Sequence, residues 1–372
     1  MAKVSLYLAG GGARGAYQAG VLKAISEIAP SKKTPFTIVT GTSVGSINAA
    51  VIAQHADNFA KGVEKLVNLW SNIHCQQIFN ASNYALSKSV IRNIGNIVVK
   101  QRRSGYLLDT SPLYDFLEEN IDFDKIEHNI ANNNLETLEV ISNCYEMHST
   151  VSFYQHTYPE FQDWRYPRHV SKRTTIDKNH IVASSALPLF FPPTKIDKFH
   201  YGDGSMGLVS PLRGALRFKV DKIMVIGTRQ SPLTASKKIV ANGEIGFAQV
   251  LGNMLNGLFI DNLDRDIETV NKMNDIARLL SLWKKKKSSW RPVETMYIRP
   301  QKDVARIAQG RYKSIPALLR FLLNVMGAQS HSGDLLSFLL FEKEFTCQLL
   351  EEGYNDTMAQ AEQVANFLEK KT

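Results

Sequence analysis

A chain of 372 residues, 44% hydrophobic and 21% charged, can bury a substantial core and falls outside the disordered and fibrous classes. Its net charge of +9 favours negatively charged partners without choosing between nucleic acid and anionic membrane. The three cysteines, Cys75, Cys144 and Cys347, are odd in number and far apart, which argues against a disulfide framework or a zinc site and for a reducing compartment.

Lys3 is followed by an apolar stretch of about half a dozen residues, too short for a signal-peptide core, so a first strand is expected over residues 4–9. The glycine-rich stretch Gly10-Gly11-Gly12-Ala13-Arg14-Gly15 comes next. It satisfies two templates, the G-x-G-x-x-G dinucleotide fingerprint and a loop whose amides receive an oxyanion. Ala16, Ala19, Leu22, Ile25 and Ile28 then recur at helical spacing until Pro30. A second strand over residues 35–41 runs into "GTSVGSINAAVIAQH", a turn that becomes a helix. Such β-loop-α-β-turn-α units build mostly parallel α/β sheets covered by helices on both faces. A mainly helical stretch to about Ala131 precedes strands over 138–146, 150–156 and 222–228, and residues 294–300 offer one more. From Gln301 onward the pattern is helical and amphipathic. The expected division is a catalytic α/β domain over 1–228 and a mainly helical C-terminal region over 229–372 that adds strand 294–300. No run reaches the roughly 18 apolar residues of a spanning helix, and the best, "IPALLRFLLNVMGA", is interrupted by Arg320.

Gly41-Thr42-Ser43-Val44-Gly45 is G-x-S-x-G at a strand-to-helix turn. A nucleophilic serine on such a turn is crowded by backbone, and flanking glycines make room for it. The helix that follows aims its free N–H groups at the same centre. In a dinucleotide-binding unit, an Asp or Glu roughly 20 residues past the glycines should end the second strand. That strand ends in "TIVTGTS" with no acid, and Glu27 lies in the preceding helix. The serine turn stands where the ribose ligand should be, and the glycine loop then suits an oxyanion beside Ser43. For the base that a serine nucleophile needs, the candidate is Asp203 in "HYGDGSMG", a Gly-Asp-Gly turn. A Ser-Asp-His triad would have to use His331, the one histidine after Asp203, and the common α/β-hydrolase places several strands before its serine.

Together the strand-first "GGGARG" loop, "GTSVG" and the downstream Asp203-Gly204-Ser205 resemble the patatin-like phospholipases, over roughly residues 3–228. The resemblance implies a three-layer α/β/α sandwich and a serine-aspartate dyad without histidine. It makes Ser43 the nucleophile, Asp203 its base, and the amides of Gly10, Gly11, Gly12 and Ala13 the oxyanion hole. Arg14, Gly15, Gly41, Gly45 and Gly204 shape the loops, and "ASSALPLFFPP" over 183–193 shapes the site. Ser205 departs from the family's usual glycine or alanine. The implied activity is that of a phospholipase A or lysophospholipase cleaving lipid carboxylic esters, without metal or other cofactor. The alternatives are a degenerate lipid-binding or membrane-scaffolding protein and a dinucleotide-binding enzyme.

Basic runs at 100–105 and 165–173 fit solvated faces, whereas the run at 283–290 is bracketed by Trp283 and Trp290 in the manner of a membrane interface. No nucleic-acid-binding signature accompanies them. Lipid esters and an anionic membrane surface are therefore the expected partners, nucleic acid is not, and the expected location is cytoplasmic or peripheral to a membrane, with no signal peptide or transmembrane helix.

Overall fold

Strands β1 (Val4–Leu8) and β2 (Ile38–Thr42) are buried along their whole length, as apolar and small residues in a parallel sheet covered on both faces require. The structure, a computed structural model, describes residues 2–80, 106–158, 160–230, 247–279, 290–312, 315, 320 and 333–369. The remaining strands are β3 (Thr137–Cys144), β4 (Ser149–His156), β5 (Arg165–Tyr166), β6 (His169–Arg173), β7 (Thr194–Ile196), β8 (Phe199–Asp203), β9 (Lys222–Ile226) and β10 (Glu294–Ile298). They form one sheet of order β10-β9-β1-β2-β3-β4-β6-β5, with β8 added to β3 and β7 to β8. From β10 to β3 every neighbour is parallel; β4 and β8 are antiparallel to β3.

The helices are α1 (Ala16–Ile28), α2 (Val44–Gln54), α3 (Phe59–Asn72), α4 (Cys75–Ile78), α5 (Ser111–Asn120), α6 (Phe123–Ala131), α7 (Lys178–Ser184), α8 (Arg213–Arg217), α9 (Phe247–Leu279), α10 (Val304–Gly310), α11 (Gly333–Leu339), α12 (Lys343–Met358) and α13 (Ala361–Leu368). Alternation along the strands sends side chains to two cores. Leu6, Leu8, Val39, Val140 and Ile226 pack with α1, α2, α3 and the C-terminal helices. Tyr7, Ile38, Ile141 and Val225 pack on the other face with α8 and α9. The result is an α/β/α sandwich with a mostly parallel central sheet and a helical C-terminal region. Leu335, Phe345, Leu349 and Phe367 of that region share the first core, and the Tyr17 hydroxyl of α1 donates to Asp356 of α12 at 3.0 Å.

Several local features differ from the pattern expected of the sequence. The glycine loop closes into a 3-10 turn, Gly12–Gly15, before α1 begins. Asp203 is not in a free turn but ends β8. The basic run at 165–173 forms β6 and the edge strand β5 beside it, an exposed edge where charge discourages further pairing. The run at 100–105, the lysines of 283–290, His331 and most of "IPALLRFLLNVMGA" lie outside the described residues. Trp290 is half-buried against the second core and donates from Nε1 to Asn274. Among the described residues no helix is long and apolar enough to cross a membrane.

Candidate active site

Ser43 is the residue between β2 and α2, with φ 54° and ψ −132°. A side chain pays about 1–3 kcal/mol to sit in such a sparsely populated conformation, so its surroundings must hold it there. Its N–H donates to Ser184 Oγ at 2.9 Å, and Ser184 Oγ donates onward to the Ile141 carbonyl at 2.6 Å. The Ser46 amide and hydroxyl both donate to the Ser43 carbonyl. Gly45 lets α2 start against the end of β1, where a Cβ would lie 2.1 Å from the Leu8 carbonyl oxygen; Gly41 is wedged in the same way against Gly45 and Ser46.

Asp203 reaches this point through β3. The edge of β3 pairs with β2 as far as Thr42 opposite Ile141, and with β8 from Asp203 opposite Ser142. The other edge of β3 is occupied by β4 throughout. Strands β2 and β8 therefore abut end to end, and Ser43, the residue after β2, carries its hydroxyl close enough to the Asp203 carboxyl to act on it. The carboxyl is fully buried. Oδ1 accepts from the Ser205 amide at 2.9 Å, while Oδ2 has no closed hydrogen bond among the described residues. Burial pushes the Asp203 pKa up to about 6, against opposing pulls from the Ser43 hydroxyl and then Ser205. Gly204 follows with its N–H donating to the Ser184 carbonyl at 3.1 Å.

The glycine loop comes from the adjacent strand β1. Thr228 Oγ1 donates to the Gly10 carbonyl at 2.6 Å, and the Arg14 amide donates to the Gly11 carbonyl at 3.2 Å. The amides of Gly11, Gly12 and Ala13 donate to no partner among the described residues. Gly12 has φ 55° and packs so closely on α11 that a Cβ would lie 2.1 Å from the Phe338 carbonyl oxygen. Gly15 rests on Val44 and Trp70. Behind the loop, Trp70 Nε1 donates to Asn48 Oδ1, Asn48 Nδ2 to Gln18 Oε1 and the Gly15 carbonyl, and Gln18 Nε2 to the Ala9 carbonyl. This buried chain of amides locks α1, α2 and the loop into one register. Gln18 and Asn48, both on helices, carry no signal of this role in the sequence. Helix-borne polar residues carry no local signal of a partner far along the chain.

Gly12 and Ser43 open onto one apolar cavity of about 30 Å³, walled by Val44, Ile47, Leu187, Phe191 and Phe341. Chemically the arrangement offers a serine hydroxyl, a dry carboxyl close to it, and a glycine loop that shares the cavity with Ser43. Among the described residues no three His, Cys, Asp or Glu side chains converge as metal ligands would.

These features define a class: an α/β/α sandwich carrying a serine at a strand-to-helix elbow next to a buried aspartate. Within that class the chain belongs to the patatin-like phospholipase family, whose model matches residues 6–216 and so includes every glycine of the loop, the elbow and Asp203. It is similar to lysophospholipase nte1 of Aspergillus terreus, 48% identical over 54 residues, a segment that is 14% of this chain and 3% of the fungal protein. The chain thus spans a small part of that relative's length. Among solved structures it is similar to VipD from Legionella pneumophila, with a TM-score of 0.34 and 13% identity over 97% of this chain and 67% of that one.

Proposed function

We propose that the protein hydrolyses carboxylic esters of lipids, with Ser43 as nucleophile and Asp203 as its base. Ser43 Oγ attacks the ester carbonyl while its proton passes to Asp203, and the amides of Gly11, Gly12 and Ala13 take the negative charge that develops on the carbonyl oxygen. Collapse of the tetrahedral intermediate expels the alcohol, which leaves with the proton held by Asp203. A water deprotonated by Asp203 then attacks the acyl-serine, and its collapse releases the fatty acid and restores Ser43.

The observation that carries this reading is the meeting of β2 and β8 on one edge of β3, which faces a strained serine with a desolvated carboxyl. Family membership supports lipid esters as the substrate class, and the similarity to a lysophospholipase favours phospholipids or lysophospholipids among them. The apolar walls of the cavity suit the first carbons of an acyl group. The test is a panel of phospholipid, lysophospholipid and neutral-lipid esters, assayed for fatty-acid release beside Ser43→Ala and alongside fluorophosphonate labelling of Ser43. Turnover and labelling that vanish together in folded Ser43→Ala support the proposal. A wild-type protein that binds liposomes but neither turns over nor labels would instead be a lipid-binding relative.

A further inference from the structure

Arg14 leaves the glycine loop and ends in the C-terminal helices, 1% exposed. Its Nε donates to Ser337 Oγ at 2.8 Å and its Nη1 to Asn256 Oδ1 at 3.1 Å. Its Nη2 donates to the carbonyl and to Oδ1 of Asp334, at 3.3 and 3.2 Å. The guanidinium also lies over the Phe338 ring, 4.0 Å from its centroid. Ser337 Oγ is itself fixed, donating to the Asp334 carbonyl at 2.6 Å. Asp334, Ser337 and Phe338 all belong to α11, and Asn256 to α9.

A planar guanidinium held at all three nitrogens has one orientation, and burying it is costly unless those bonds are made. That orientation is passed directly to the loop, because the amide of Arg14 closes the turn onto Gly11. The same helix touches the loop a second time where the Phe338 carbonyl meets Gly12. The loop is thereby clamped from its side-chain and its backbone side by one element more than 300 residues away along the chain.

We infer that Asp334, Ser337 and Asn256 are positioning residues for the oxyanion loop, acting through Arg14, and that α11 is part of the catalytic unit. The inference rests on the function proposed above for Ser43 and the loop amides. None of the three touches the reacting atoms. Their effect is on where the amides of Gly11, Gly12 and Ala13 point when charge develops.

The test uses the full chain with Ser337→Ala, Asn256→Ala, Asp334→Ala and Asp334→Asn. It reads kcat and KM on a soluble p-nitrophenyl ester, the rate of fluorophosphonate labelling of Ser43, melting temperature, and hydrogen exchange of the peptide covering residues 8–17. Misplaced donors should lower kcat by about 10- to 100-fold while KM stays within about twofold. Labelling should slow in parallel, and the loop amides should exchange faster. Asp334→Asn, which retains an oxygen for Nη2, should recover most of what Asp334→Ala loses. Unchanged kcat and unchanged exchange in folded Ser337→Ala and Asn256→Ala overturn the inference, as does a loss of activity that only tracks a fall in folded protein. If the wild type neither turns over nor labels, the proposed function fails, and exchange alone then judges the clamp: unchanged loop protection in the variants overturns it, faster exchange upholds it.

Discussion

Thr42 and Asp203 lie opposite consecutive residues of β3, Ile141 and Ser142, on the same edge of that strand. This register sets Ser43, the residue after β2, beside the end of β8, as the proposed dyad requires. It also dries the carboxyl, and burial raises its pKa to about 6. A base works only when ionised, so kcat/KM on a soluble ester should rise with pH, pass half-maximum near 6 and level off above it. Asp203→Asn should lower kcat by about 10²- to 10⁴-fold while keeping the fold. A wild-type profile flat from pH 5 to 8 would remove Asp203 from the role of base.

Ser184 stands between the elbow and β3. It accepts from the strained Ser43 amide and donates to the Ile141 carbonyl. Ser184→Ala leaves both groups buried without a partner, which should cost about 1–3 kcal/mol of stability. Relaxation of the Ser43 backbone should also slow fluorophosphonate labelling by about tenfold. Denaturant unfolding and a labelling time course measure the two effects. Wild-type values in both would mean that the elbow is held by its own turn.

On the opposite face of the sheet, Glu139 is fully buried, with Oε2 accepting from Thr40 Oγ1 at 2.9 Å and Oε1 without a partner among the described residues. Burial pushes its pKa up to about 7, with Ser152 and Thr40 pulling the other way. A carboxyl whose folded pKa is raised stabilises the protein below its unfolded value, and that contribution is lost as pH rises through the folded one. The loss here falls between about pH 4.5 and 7. Relative to Glu139→Gln, the wild type should therefore lose up to about 3 kcal/mol between pH 4 and pH 8. A stability difference between the two proteins that does not change with pH would mean that Glu139 ionises in the folded protein as readily as in the unfolded chain.

The first half of the site was legible because its parts are local. The uninterrupted apolar runs of β1 and β2, the glycine loop and the G-x-S-x-G turn each carry their own signal within a few residues. Asp203 was legible as a residue but not as a strand end. Strands β7 and β8 are short and mixed in character, and they exist because β3 outruns β2 and leaves an edge to be paired. The partners of Arg14 were not legible at all. Asp334, Ser337 and Asn256 sit in ordinary amphipathic helices, and only tertiary packing delivers them to the loop. Trp290 is half-buried against Asn274 and the second core, a tertiary placement that its position beside the lysine run does not reveal.

Phe341 closes the cavity at Ser43. Its ring stacks on Trp70 at 6.3 Å and 16° and meets Phe79 edge-on. With a volume of about 30 Å³ the cavity has room for roughly two waters, not for a fatty-acyl chain. On the proposed function, an acyl group longer than a few carbons has to displace part of the wall, at a cost to every long-chain substrate. Phe341→Ala removes the obstacle in advance, at a stability cost of about 3–5 kcal/mol for the lost packing. If two further methylenes then find apolar cover at about 0.8 kcal/mol each, the ratio of kcat/KM for octanoyl over acetyl ester should rise roughly tenfold. The acetyl ester itself should change little, because its acyl group fits the closed cavity. A ratio that stays at the wild-type value while the variant remains folded would show that the acyl chain lies elsewhere than against Phe341.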